Sequence, residues 1–145
     1  MNASLEITRR VRPYQRPFHE YLVSNGVGGR AIEIAHRRWG KDEITLMATC
    51  ELAHQRIGNY WHCLPEYEQG RKALWEAVNS HTGRKRIDEA FPPEICRRRD
   101  SQKMFIEFGN GSTWQIIGSD RYDATVGAGV AGIVYSEWAL ANPSA

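Results

Sequence analysis

Two short stretches of this chain hold residue types suited to a polyphosphate: Ala35-His36-Arg37-Arg38-Trp39-Gly40-Lys41-Asp42 and Ser136-Glu137. The first follows an apolar run ending at Ala35 and leads into Asp42, Glu43, Ile44, Leu46 and Met47, a helix-like run. Strand, tight loop, Gly-Lys and helix is the layout of a phosphate-binding loop. In it, backbone N–H groups and the positive helix N-terminus receive the anion, and the lysine reaches its outer phosphates. Against the pattern G-x-x-x-x-G-K-[ST], Ala35 stands for the first glycine and Asp42 for the hydroxyl residue that would hold Mg²⁺.

Nucleotide hydrolysis needs Mg²⁺ across the β- and γ-phosphates and a carboxylate to position or deprotonate water. Ser136-Glu137 closes the apolar run 132–135, where an Asp-Glu pair would be usual. The two metal-binding types are thus exchanged: Asp42 takes the hydroxyl's place and Ser136 the aspartate's, which keeps the site's charge. Each residue also has a plainer reading. Lys41 suits an exposed helix start, Asp42 an ordinary helix cap, and Glu137 a surface strand end.

These residues need strands and a helix to position them. The apolar spacing of Phe18, Tyr21 and Leu22 predicts a short helix ended by Asn25-Gly26, after a mobile polar segment 1–13. A strand is expected over 30–35. From Asp42 to about Ile57 follows a helix with one face of Ile44, Met47, Ala48, Leu52 and Ala53. Residues 59–64 read as a strand, and 66–79 as a helix turning Ala73, Leu74, Ala77 and Val78 to the sheet. A basic connector covers 80–93. Residues 103–108 and 112–117 form a hairpin about Gly109-Asn110-Gly111, residues tolerant of positive φ. Residues 118–129 read as a loop and 132–135 as a last apolar strand. The alternation implies an α/β sheet with parallel core strands, whose ligands bind at the strands' carboxyl ends.

With 145 residues the chain is one domain, and its net charge of +2 does not by itself mark a nucleic-acid binder. The arginines do cluster, at Arg9 to Arg16, Arg84 to Arg86 and Arg97 to Arg99, runs that usually form solvated surface. Three cysteines and five histidines lack metal-ligand or disulfide spacing. No apolar run spans a membrane and no signal peptide is visible, so a reducing cytoplasm is expected.

Taken together, Arg37-Arg38-Trp39-Gly40-Lys41, the leading Pro13-Tyr14-Gln15, Pro65 to Gln69, and the run Ile-Val-Tyr-Ser-Glu-Trp-Ala at 133–139 resemble the N-terminal ATPase domain of the large terminase subunit of tailed bacteriophages. The likeness runs from about Tyr14 to the last residue. It implies a P-loop NTPase three-layer sandwich over 14–145, with a mainly parallel central sheet plus a β-hairpin. It further implies ATP and Mg²⁺ as cofactors: Gln15 reads adenine, and Arg37, Arg38, Trp39, Gly40, Lys41 and Asp42 hold the nucleotide. Asp42 and Ser136 bind the metal, Glu137 activates water, and Arg37 or Arg38 stabilises the γ-phosphate. Arg121 stands in for an arginine that reaches a neighbouring subunit, since Thr125-Val126-Gly127 occupies the place of the usual Arg-Gly. The implied partners are double-stranded DNA, the small terminase subunit and portal, and further copies in a ring within the bacterial host cytoplasm. The family continues into a coupling strand and a nuclease domain, so the sequence reads as an incomplete member. A helicase-like ATPase and a non-hydrolysing nucleotide-binding remnant are the alternatives.

Overall fold

A computed structural model describes residues 11–25, 28–35, 39–121 and 129–137. The leading helix forms as α1 (Arg16–Ser24), closed by Asn25, whose side-chain amide donates to the Tyr21 carbonyl. Its buried residue is His19, while Tyr21 is 44% exposed. The second helix, α2 (Lys41–Gln55), buries more than the single apolar face the sequence suggested. Leu46, Thr49, Cys50 and Glu51 are buried beside Ile44, Met47, Ala48 and Ala53. The reason is that α2 lies between the sheet and α1 and is covered on both sides.

Five strands follow: β1 (Asn59–Leu64), β2 (Cys96–Asp100), β3 (Phe105–Phe108), β4 (Thr113–Gly118) and β5 (Gly132–Tyr135). They make one mixed sheet in the order β2-β3-β4-β1-β5. β4, β1 and β5 run parallel, and β2, β3 and β4 are antiparallel. The expected hairpin is β3–β4, with Gly111 at φ 96° in its turn. β2 was not expected: Arg97 to Arg99 read as a solvated basic run. Its charges meet partners distant in sequence, Glu107 for Arg97 and Arg98, and Asp88 for Arg99.

Two other expectations fail for physical reasons. Residues 30–35 form no strand, and Ile32 and Ile34 are 89% and 92% exposed. A period-2 pattern becomes a strand only where a neighbour completes its hydrogen bonds, and among the described residues none pairs with it. The helix expected over 66–79 is a single turn, α3 (Tyr67–Gly70), running into a π-helical turn over Arg71–Trp75. There Glu76 N–H donates to the Arg71 carbonyl, five residues back. The wider turn buries Leu74 and Trp75, and Val78 is left 54% exposed. The connector then holds a short helix, α4 (Arg86–Ala90), with Ile87 and Ala90 buried.

Register places Tyr60, His62 and Leu64 of β1 on one sheet face with Trp114 and Ile116 of β4 and Ile106 of β3. Helices pack on that face. Tyr60 Oη donates to the Leu52 carbonyl, a Cβ on Gly70 would sit 2.4 Å from Ile116, and Trp75 stacks on Trp114. The other face carries Trp61, Cys63, Gln115, Ile117 and Ile133, of which Cys63 and Ile117 are buried. The described residues give a mixed α/β fold with a central sheet and flanking helices. None of their helices is long and apolar enough to cross a membrane.

Candidate functional site

Three parallel strands end on one rim of the sheet, and the start of α2 meets that rim. Gly40 caps α2 with φ 89°, left-handed backbone that favours glycine. A Cβ there would lie 2.6 Å from Gln15 Nε2 and 3.3 Å from Arg12 Nη1, so a larger residue would push the Gln15 amide aside. Lys41 opens the helix and donates from Nζ to the Ala35 carbonyl at 2.8 Å. The two described ends of the loop are thereby tied together. Arg37 and Arg38 lie outside the described residues.

Asp42 joins this loop to the acidic strand end. Its Oδ1 accepts the Ser136 hydroxyl at 2.6 Å and lies 3.3 Å from His62 Nε2. Ser136 is aimed there because its own N–H donates to the Cys63 carbonyl at 2.8 Å, one step beyond the β1–β5 ladder. Burial pushes the Asp42 carboxyl up, but hydrogen bonding and charge from His62, with help from Ser136 and Lys41, outweigh it. The group is held below its ordinary range and stays ionised. Glu137 follows at φ 52°, exposed on the same rim. A non-glycine residue in left-handed backbone stores strain of a kind found at functional sites.

Gln15 comes to the loop, with its amide turned inward. It is 2% exposed, donates to the Trp39 carbonyl at 2.9 Å and accepts the Arg12 N–H at 3.2 Å. It fastens the leading segment to the loop, and meeting a base would require it to release that bond. Tyr14 and Trp39 meet edge to face with centroids 5.4 Å apart. Arg121 lies at the end of β4, with β1 between it and the Ser136-Glu137 end of β5. Its guanidinium sits 4.3 Å from the Tyr67 ring centroid and 3.9 Å from Glu68.

The structure thus brings together Gln15, Trp39, Gly40, Lys41, Asp42 and Ser136, with Glu137 adjoining and Arg121 on the same rim. His62 escaped the sequence reading, which sought histidines at ligand spacing. Its signal was parity: it alternates with Tyr60 and Leu64, both core positions, so a polar ring was bound for the interior.

Among the described residues no group of three or more His, Cys, Asp or Glu could cage a metal ion. One ionised carboxylate beside a hydroxyl at a helix start does fit Mg²⁺. That ion is usually held by one or two carboxylates together with phosphates and water. Comparison with family models, curated proteins and solved structures finds no match to this chain.

Proposed function

We propose that this chain binds Mg²⁺-ATP at the start of α2 and is the ATPase motor domain of a terminase-like machine that packages double-stranded DNA. The carrying observation is the bond between Asp42 and Ser136. It brings together the two positions that, against the phosphate-loop pattern, read as exchanged. On this reading Lys41 leaves the Ala35 carbonyl for the outer phosphates, and the first N–H groups of α2 meet the anion. Asp42 and Ser136 hold Mg²⁺, which when bound neutralises charge on the phosphate oxygens. Glu137 orients or deprotonates the attacking water. Gln15 and Trp39 secure the loop at the base of the nucleotide. Arg37 and Arg38 remain candidates for the γ-phosphate, and Arg121 for contact with a neighbouring copy. The small terminase subunit and portal are the proposed partners, on motif resemblance alone.

Calorimetric titration with Mg²⁺-ATP tests the binding reading. Saturable binding, lost in Lys41→Ala and dependent on Mg²⁺, is expected; equal affinity in that variant overturns it. Turnover is followed separately as phosphate release, beside Glu137→Gln. Hydrolysis unchanged in Glu137→Gln removes Glu137 from the role of base.

A further inference from the structure

His62 is the most buried polar side chain near the site, and the reading of motifs does not use it. It is fully buried in β1, and among the described residues its Nδ1 has no hydrogen-bond partner. Its ring lies edge-on to Trp114 with centroids 6.5 Å apart. Tyr60 and Leu64 flank it on the same face, and an apolar side chain of that volume would suit the position. A buried polar group with an unmet atom is costly, and replacing such groups with well-packed apolar ones is often neutral or stabilising. Among the described residues, the one polar side chain that His62 reaches is Asp42, at 3.3 Å.

We infer that His62 is a positioning residue: its Nε2–H holds Asp42 Oδ1 so that the rest of the carboxylate faces a phosphate-bound divalent cation. This rests on the nucleotide-binding reading. Oδ1 receives two donors, Ser136 from the end of β5 and His62 from β1, so two strands fix a side chain whose backbone belongs to α2. Asp42 keeps 35% of its side chain exposed, which leaves the carboxylate accessible from solvent. An ionised carboxylate only accepts, so the bond selects the tautomer protonated at Nε2. Groups that orient a metal ligand in this way typically govern metal affinity by about 10–100-fold.

The test pairs His62→Leu with His62→Gln, whose amide can donate to the same oxygen. Thermal unfolding and a Mg²⁺ titration of ATP binding are measured on each full chain. His62→Leu is expected to unfold at the wild-type temperature or above it, and to bind metal-free ATP as the wild type does. It should need about tenfold more Mg²⁺, and His62→Gln should recover most of that loss. An unchanged Mg²⁺ requirement in a folded His62→Leu chain overturns the inference while leaving nucleotide binding intact. Wild-type chain that binds no Mg²⁺-ATP brings down the nucleotide reading and this inference with it. Should His62→Leu fail to fold, nitrogen-15 NMR of the wild-type imidazole decides. A signal protonated at Nε2 that shifts on adding Mg²⁺-ATP supports the inference; one protonated at Nδ1 alone overturns it.

Discussion

Helix α2 carries two histidine–carboxylate pairs that differ in one respect. Glu51, in its third turn, lies 3.2 Å from His19 of α1, with side chains only 8% and 5% exposed. Asp42, in its first turn, meets His62 at 3.3 Å with 35% of its side chain exposed. The sealed pair joins two helices and is shut off from solvent. The half-open pair has a buried histidine behind and solvent in front. Similar residue types at similar distances can therefore clamp a fold or present a ligand, and exposure of the carboxylate separates the two.

The sealed pair should dominate stability. Glu51→Leu removes the carboxylate beside the buried His19 ring and should cost about 1–3 kcal/mol, read from urea unfolding. Asp42→Asn should cost under about 1 kcal/mol. The reverse order would break the comparison. Gly40→Ala should come next, at about 1–3 kcal/mol for a side chain forced into left-handed backbone. It should also weaken ATP binding, because the added carbon displaces Gln15. A variant as stable as wild type with full ATP affinity would show that the loop does not need this backbone.

The acid limb of the stability curve sharpens the contrast further. Asp42 is held below its ordinary value of 3.8 in the folded chain. Its contribution is therefore present above that value and lost as pH falls through the lower folded one. Solvent screening keeps it to about 1 kcal/mol or less. Asp42→Asn should flatten this part of the curve below about pH 4, and superimposable curves would discard the assignment. The smallest effect concerns Cys63, next to His62 but on the opposite sheet face. Burial, with a lesser push from Asp120, raises its thiol to about 11. At pH 8 the reactive thiolate is on the order of one part in 10³, so alkylation should be slow and should accelerate toward pH 11. Fast labelling at pH 8 in the folded chain would contradict this.

How far these features could be read from sequence depends on how local their causes are. The β3–β4 turn is written in Gly109-Asn110-Gly111, and the loop in Gly40-Lys41, because each needs a backbone conformation that only certain residues supply. Asp42 and Ser136 stood out in the sequence as polar residues at a helix start and a strand end, though their contact across 94 positions was not legible. Strand β2 was hidden because the carboxylates that neutralise its arginines come from α4 and β3. The π turn was hidden because nothing in Arg71 to Trp75 breaks a helical pattern; the stacking of Trp75 on Trp114 accompanies it. Residues 30–35 misled in the opposite direction. Their alternation is a strand's, but pairing belongs to a neighbour and not to the segment.

Strand β5 shows what a missing neighbour does to a strand that does form. It pairs with β1 along one edge, and no described residue pairs with the other. Successive amides of a strand point to alternate edges, so only every second N–H of β5 is shielded by β1. Hydrogen–deuterium exchange should therefore run along β5 as a comb, slow and fast by turns. Strand β1, bonded to β4 on one side and β5 on the other, should be slow throughout.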